Sequence, residues 1–113
     1  MNEIDKPVLV YATFPSEAAA ETAGEALVAA RLAACVNILP GMTSIYNWEG
    51  RTERASEVVM VIKTREGLAD EVIEETRRLH PYTVPALIKI PVSGGHAPFL
   101  EWILGEIASP ARS

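Results

Sequence analysis

The sequence predicts an α+β sandwich with elements in the order βαββαβ, followed by a short C-terminal helix. Three observations carry this. A run that is apolar on both faces, Val8 to Phe14, precedes an alanine-rich helical stretch. A long β-branched and aromatic stretch then folds back on itself at Trp48-Glu49-Gly50-Arg51. A second helical stretch stops at His80-Pro81, and a last apolar run, Ala86 to Val92, follows it. This order is that of the ferredoxin-like sandwich, a four-stranded antiparallel sheet with two helices on one face.

Each element has a local reason. A continuous apolar run such as 8–14 suits a central strand. After Pro15, Ser16 caps a helix and Glu17 suits its positive end. The stripe Ala19, Ala23, Ala26, Leu27 and Ala30 predicts a helix to about Ala33, with small side chains that allow close approach to a sheet. Cys35 to Leu39 reads as the second strand, bent at Pro40-Gly41 and extended by Thr43 to Trp48. Gly50 supplies the positive φ that a hairpin turn needs. The return strand runs from about Thr52 to Lys63. Thr64 is the expected cap of the second helix, whose inward stripe is Leu68, Val72, Thr76 and Leu79, flanked by Ala69 and Ile73. Pro81 ends it, because proline disfavours helical geometry in the residue before it. Pro98 opens the last helix, with Leu100, Ile103, Leu104 and Ile107 inward.

A chain of 113 residues is one domain, and residues 1–6 and 109–113 are expected to be flexible. Hydrophobic residues make up 49%, enough to make both faces of the strands apolar, through Tyr11, Ile45 and Val59 among others. A two-layer sandwich leaves one sheet face bare. A bare apolar face and long edge strands predict assembly through the sheets. The net charge of −5 argues against nucleic acid, which needs a basic face. The single cysteine excludes an internal disulfide and fits a reducing compartment. No stretch reads as a signal segment or a membrane span, so a cytoplasmic protein that does not bind membranes is expected.

Leu32-Ala-Ala-Cys-Val-Asn37, Tyr46-Asn-Trp-Glu-Gly50, Val61-Ile-Lys-Thr64, His80-Pro-Tyr-Thr-Val-Pro85 and Phe99-Leu-Glu-Trp-Ile103 occur in that order. With them the chain resembles the CutA family of divalent-cation-tolerance proteins, from Val8 to about Ile103. The resemblance implies a single CutA-like domain over 1–113, a homotrimer with strands shared between subunits, and an architecture similar to PII signalling proteins. It also implies a link to copper and other divalent cations, with no cofactor required. The family's proposed copper ligands keep only His80 here, since Ala12 and Leu79 stand where some members have Cys and His. Thr83 and Ala86 replace acidic residues near Pro85.

Cys35 reads either as a soft metal ligand or redox thiol, or as a small buried hydrophobe. His80 reads either as a metal-binding imidazole or as a hydrogen-bonding group that fixes the His-Pro-Tyr turn. Tyr46, Trp48, Tyr82 and Trp102 read as the lining of an inter-subunit cleft or as interface packing. Lys63 ends an apolar strand and reads as an anion contact or as the partner of a carboxylate such as Glu57. Glu49 and Glu53 read as solvated, and His96 as solvent-facing. No nucleophile elbow, phosphate-cradling loop or zinc spacing occurs, so an enzyme is not expected. The function expected is a non-enzymatic trimer of divalent-cation (copper) tolerance that binds metal ions weakly. The alternative is a PII-like regulatory or adaptor module that takes a small anion or a protein partner at the cleft.

Overall fold

The computed structural model describes residues 6–108. β1 (Pro7–Phe14) lies inside an antiparallel sheet between β3 (Arg51–Arg65) and the short β4 (Leu87–Pro91). β2 (Cys35–Trp48) flanks β3, so the strand order is β2-β3-β1-β4, with β2 and β4 at the edges. Val8, Val10, Ala12 and Phe14 of β1 point to the same face as Val58, Met60 and Ile62 of β3, and all seven are buried. α1 (Glu17–Ala29) and α2 (Ala69–Leu79) cover that face, and Ala20, Ala23, Leu27 and Val72 complete the core.

The Ser16 Oγ accepts the Ala19 N–H at 3.1 Å and starts α1. The small side chains of α1 do allow a close approach. A Cβ on Gly24 would lie 2.7 Å from Val36 Cγ2 and 3.1 Å from Met60 Sδ. The helix stops four residues short of the expected Ala33. Arg31 takes a positive φ of 60°, and the N–H groups of Leu32 and Ala33 both reach back to the Leu27 carbonyl. This turn lets Ala33 join the core and hands the chain to the sheet, where the Ala34 N–H bonds the Lys63 carbonyl at 2.9 Å.

β2 continues through Pro40-Gly41 as a bulge, with a register shift between Leu39 and Met42. Proline is tolerated there because β2 is an edge strand. Glu49 and Gly50 both have positive φ, 51° and 78°, as a two-residue type I′ turn requires. The expected cap at Thr64 is corrected. β3 runs on to Arg65, and the buried Thr64 hydroxyl donates to the Leu32 carbonyl at 2.7 Å instead. A 3-10 turn, Glu66–Leu68, then leads into α2 at Ala69. His80 leaves the helix with ψ 141°, as the following proline demands. α3 (Ala97–Glu106) packs Ile103 against Leu68, and Ile107 beyond it joins the same cluster. The Arg65 Nη2 donates to the Leu104 carbonyl at 2.6 Å. The expected loose ends fall on residues outside those described, except Lys6, whose carbonyl accepts the Glu66 N–H.

β1 pairs with β3 only from Val58 to Arg65. Beyond Val58, residues 51–57 of β3 pair with β2 alone. The result is a two-stranded arm, and the molecule is 46 Å long but only 26 × 22 Å across.

Candidate functional site

The arm and the His80–Ala86 loop enclose a groove of about 830 Å³. Cross-strand register builds one wall. Tyr46 pairs with Glu53 and Ser44 with Ala55, so these side chains share a face. Next along the arm, Met42 pairs with Glu57 on that same face, which continues past the bulge through Val59 and Val61 as the helix-free side of the sheet. Trp48 stands at the tip, 62% exposed. Thr13 forms part of the floor, and Pro81, Tyr82, Thr83 and Val84 form the opposite wall.

His80 holds that opposite wall. Its Nε2 lies 2.6 Å from the Thr13 carbonyl, and its Nδ1 lies 3.0 Å from the Tyr82 backbone nitrogen. The Thr13 carbonyl can only accept and the Tyr82 N–H can only donate, so the ring is neutral with its proton on Nε2. The ring stacks on Phe14 at 4.4 Å between centroids and touches Tyr82 at 5.1 Å. These contacts hold the His80-Pro81-Tyr82 turn against the end of β1.

The charge of the groove is one-sided. Among the described residues that line it, Glu53 and Glu57 are the only ones of charged type, and both are acidic. Glu57 accepts the Ser44 hydroxyl at 2.6 Å, and Glu53 has the exposed Arg51 at 4.0 Å. Burial first, then the charge of Glu57 and then Tyr46, push the Tyr82 phenol above its ordinary range.

The predicted site residues fall into two groups. Tyr46, Trp48 and Tyr82 meet at the groove. Lys63 and Trp102 lie elsewhere and share Phe99: the Lys63 Nζ sits 5.2 Å from its ring centre, and Trp102 stacks on it at 5.7 Å. Lys63 does not pair with Glu57, which bonds Ser44. Cys35 is the cross-strand partner of Lys63 and is partly exposed. His80 contacts the row of Thr13, four residues along β1 from the row of Cys35 and Lys63. At about 3.3 Å per residue, that is ~13 Å along the strand, so Cys35 and His80 cannot share an ion within one chain. Among the described residues no three of His, Cys, Asp and Glu come together as a metal cage. Glu53 and Glu57 were not singled out from the sequence as groove residues. The two-residue turn contains the signal, because it fixes Glu53 opposite Tyr46.

Residues 8–106 match the family described as CutA1 divalent ion tolerance protein. The chain belongs to the CutA1 family. It is 43% identical over 95 residues to the divalent-cation tolerance protein CutA of Thermus thermophilus, covering 84% of this chain and 92% of that one. It is 44% identical over 93 residues to human protein CutA and 41% identical over 96 residues to the chloroplastic rice protein CutA 1. These matches cover 82% and 85% of this chain, and about half the length of those two relatives (52% and 54%). Two CutA1 crystal structures superpose closely. The Thermus thermophilus protein gives a TM-score of 0.86 at 40% identity over 90% of this chain and 99% of that one. The Oryza sativa protein gives 0.89 at 36% identity over 95% and 98%. The CutA1 names describe tolerance rather than catalysis, and relatives are named from chloroplast and periplasm alike. Among the described residues, no helix is long and apolar enough to cross a membrane.

Proposed function

We propose that this chain is a non-enzymatic, homotrimeric member of the divalent-cation tolerance family, assembled through the helix-free face of a ferredoxin-like sandwich. The observation that carries this is the unsupported arm. A two-stranded ribbon is marginally stable in water unless another layer covers it. Here it exposes Ile45, Tyr46 and Trp48, and the adjoining sheet exposes Leu39, Ile88 and Ile90. Second copies supply the missing layer and close the bare edges of β2 and β4. The groove then lies at the boundary between subunits.

Weak metal binding belongs to the same reading and is assigned to Cys35. Its thiol is partly accessible and suits copper(I), whereas both His80 nitrogens already have partners. A single ligand per chain supports weak binding rather than a resident cofactor. A cytoplasmic location is supported by the lone cysteine. A host lacking its own copy should become sensitive to copper, and this chain should restore tolerance. Failure to restore it at normal expression would contradict the reading.

The groove favours a second reading, a binding module of regulatory or adaptor type. Its aromatic walls support a role in contacting a small ligand or a protein partner at the subunit boundary.

A further inference from the structure

His80 is a buried histidine whose two ring nitrogens have opposite tasks. Nε2, 2.6 Å from the Thr13 carbonyl oxygen, has to donate, and Nδ1, 3.0 Å from the Tyr82 backbone nitrogen, has to accept. Only the neutral ring does both. Among the described residues, the bond to Nδ1 is also the only hydrogen bond that residues 81–85 make. Both contacts lie inside one chain, so they hold whatever covers the arm.

A ring protonated on both nitrogens carries two donors. The Thr13 contact survives and gains charge. The Tyr82 contact does not, because two N–H groups would then face each other across 3.0 Å. The elements around the ring bring these groups to it. β1 presents Thr13 and Phe14, neither of which titrates. α2 presents Arg77, whose carbonyl takes the His80 N–H and whose guanidinium is tied to Glu74. The loop presents the Tyr82 ring at 5.1 Å, with Glu53 and Glu57 across the groove from it. β4 carries Lys89, which is held by Glu66.

We propose that His80 is a pH-sensitive latch: protonation at Nδ1 frees the Tyr82 end of the loop, while Nε2 keeps the end of α2 on β1. Cys35, to which the metal contact is assigned, lies ~13 Å away along the strand. The latch depends neither on a metal nor on the number of subunits.

Nitrogen-15 NMR of the full assembled protein between about pH 8 and about pH 5 tests it, a span that brackets the ordinary imidazole value of about 6.5. At the upper end the ring should show the neutral form with its proton on Nε2. At the lower end the Tyr82 amide, corrected for intrinsic exchange, should exchange roughly tenfold faster, the scale of one lost hydrogen bond. The amides of Val10 and Ile62, in the core, should keep their protection. In His80→Gln, whose side chain offers a donor and an acceptor at every pH, the change should vanish. In Glu57→Gln it should remain. A Tyr82 amide equally protected at both ends would overturn the proposal. So would a response that survives His80→Gln or is lost in Glu57→Gln, since another group would then be titrating. Equal acceleration at Val10 and Ile62 would be general acid unfolding and would overturn it too.

Discussion

The Nε2 of His80 lies 2.6 Å from the carbonyl oxygen of Thr13, a contact that spans 67 residues and pins the end of α2 to the end of β1. The same ring accepts the Tyr82 N–H through Nδ1. One buried imidazole thus positions the loop that forms half of the groove.

His80→Ala should therefore lose stability rather than only a ligand. It strands the Thr13 carbonyl and the Tyr82 N–H and removes the stack on Phe14. The expected loss is about 2–3 kcal/mol. Urea denaturation checks it, and a variant within 0.5 kcal/mol (about the scatter of surface substitutions) of the parent would contradict it.

Gly24→Ala should destabilise, although alanine is the better helix former by about 1 kcal/mol. The new methyl would meet the stiff Val36 side chain at 2.7 Å and the Met60 sulfur at 3.1 Å. Overpacking of this kind costs about 1–3 kcal/mol, which leaves a net loss of roughly 1 kcal/mol. Thermal denaturation with a raised midpoint would contradict the close helix–sheet packing.

Tyr82 should ionise later than an ordinary tyrosine, whose value is about 10. Burial comes first among the causes, followed by Glu57 and Tyr46. A raised value means the folded state holds the proton more tightly. The associated stability is present below the unfolded value and is lost as pH rises through the folded one. The tyrosinate absorbance that disappears in Tyr82→Phe should have its midpoint above the ordinary value, and Glu57→Gln should lower it. A midpoint at or below about 10 would show that the field of the groove is misread.

Copper should distinguish Cys35 from His80. In a competitive titration of reduced protein with copper(I), Cys35→Ala should abolish the weak binding. His80→Ala should keep it while showing lowered stability. The opposite pattern would move the metal contact to the His80 turn.

Much of this fold was legible because local chemistry and tertiary structure agree. Pro81 stops α2 at His80, and Gly50 with Glu49 makes the tight turn the hairpin needs. Disagreement arose where distant contacts decide. No glycine or proline marks the end of α1; Arg31 takes a positive φ because Leu32, Ala33 and Ala34 have partners at Leu27 and Lys63. Thr64 looks like a cap, yet its hydroxyl is claimed by Leu32 across the sheet. At the site, Tyr46, Trp48 and Tyr82 were singled out because aromatics are scarce in this chain. Trp102 and Lys63 belong with Phe99 at the other end of the face, a separation set by register and not by residue type. Lys63 reads from the sequence as an anion contact or as the partner of a carboxylate such as Glu57, but the Glu57 carboxylate accepts the Ser44 hydroxyl.

The central claim is that the arm and the helix-free face are covered by further copies of the same chain. Light scattering coupled to size exclusion, at micromolar concentration, tests it most directly. The account predicts a mass of three chains, and a smaller species when Ile45→Lys and Trp48→Lys are combined to place charge on both faces of the arm. A stable monomer of the parent sequence, with its arm exposed to water, would contradict it.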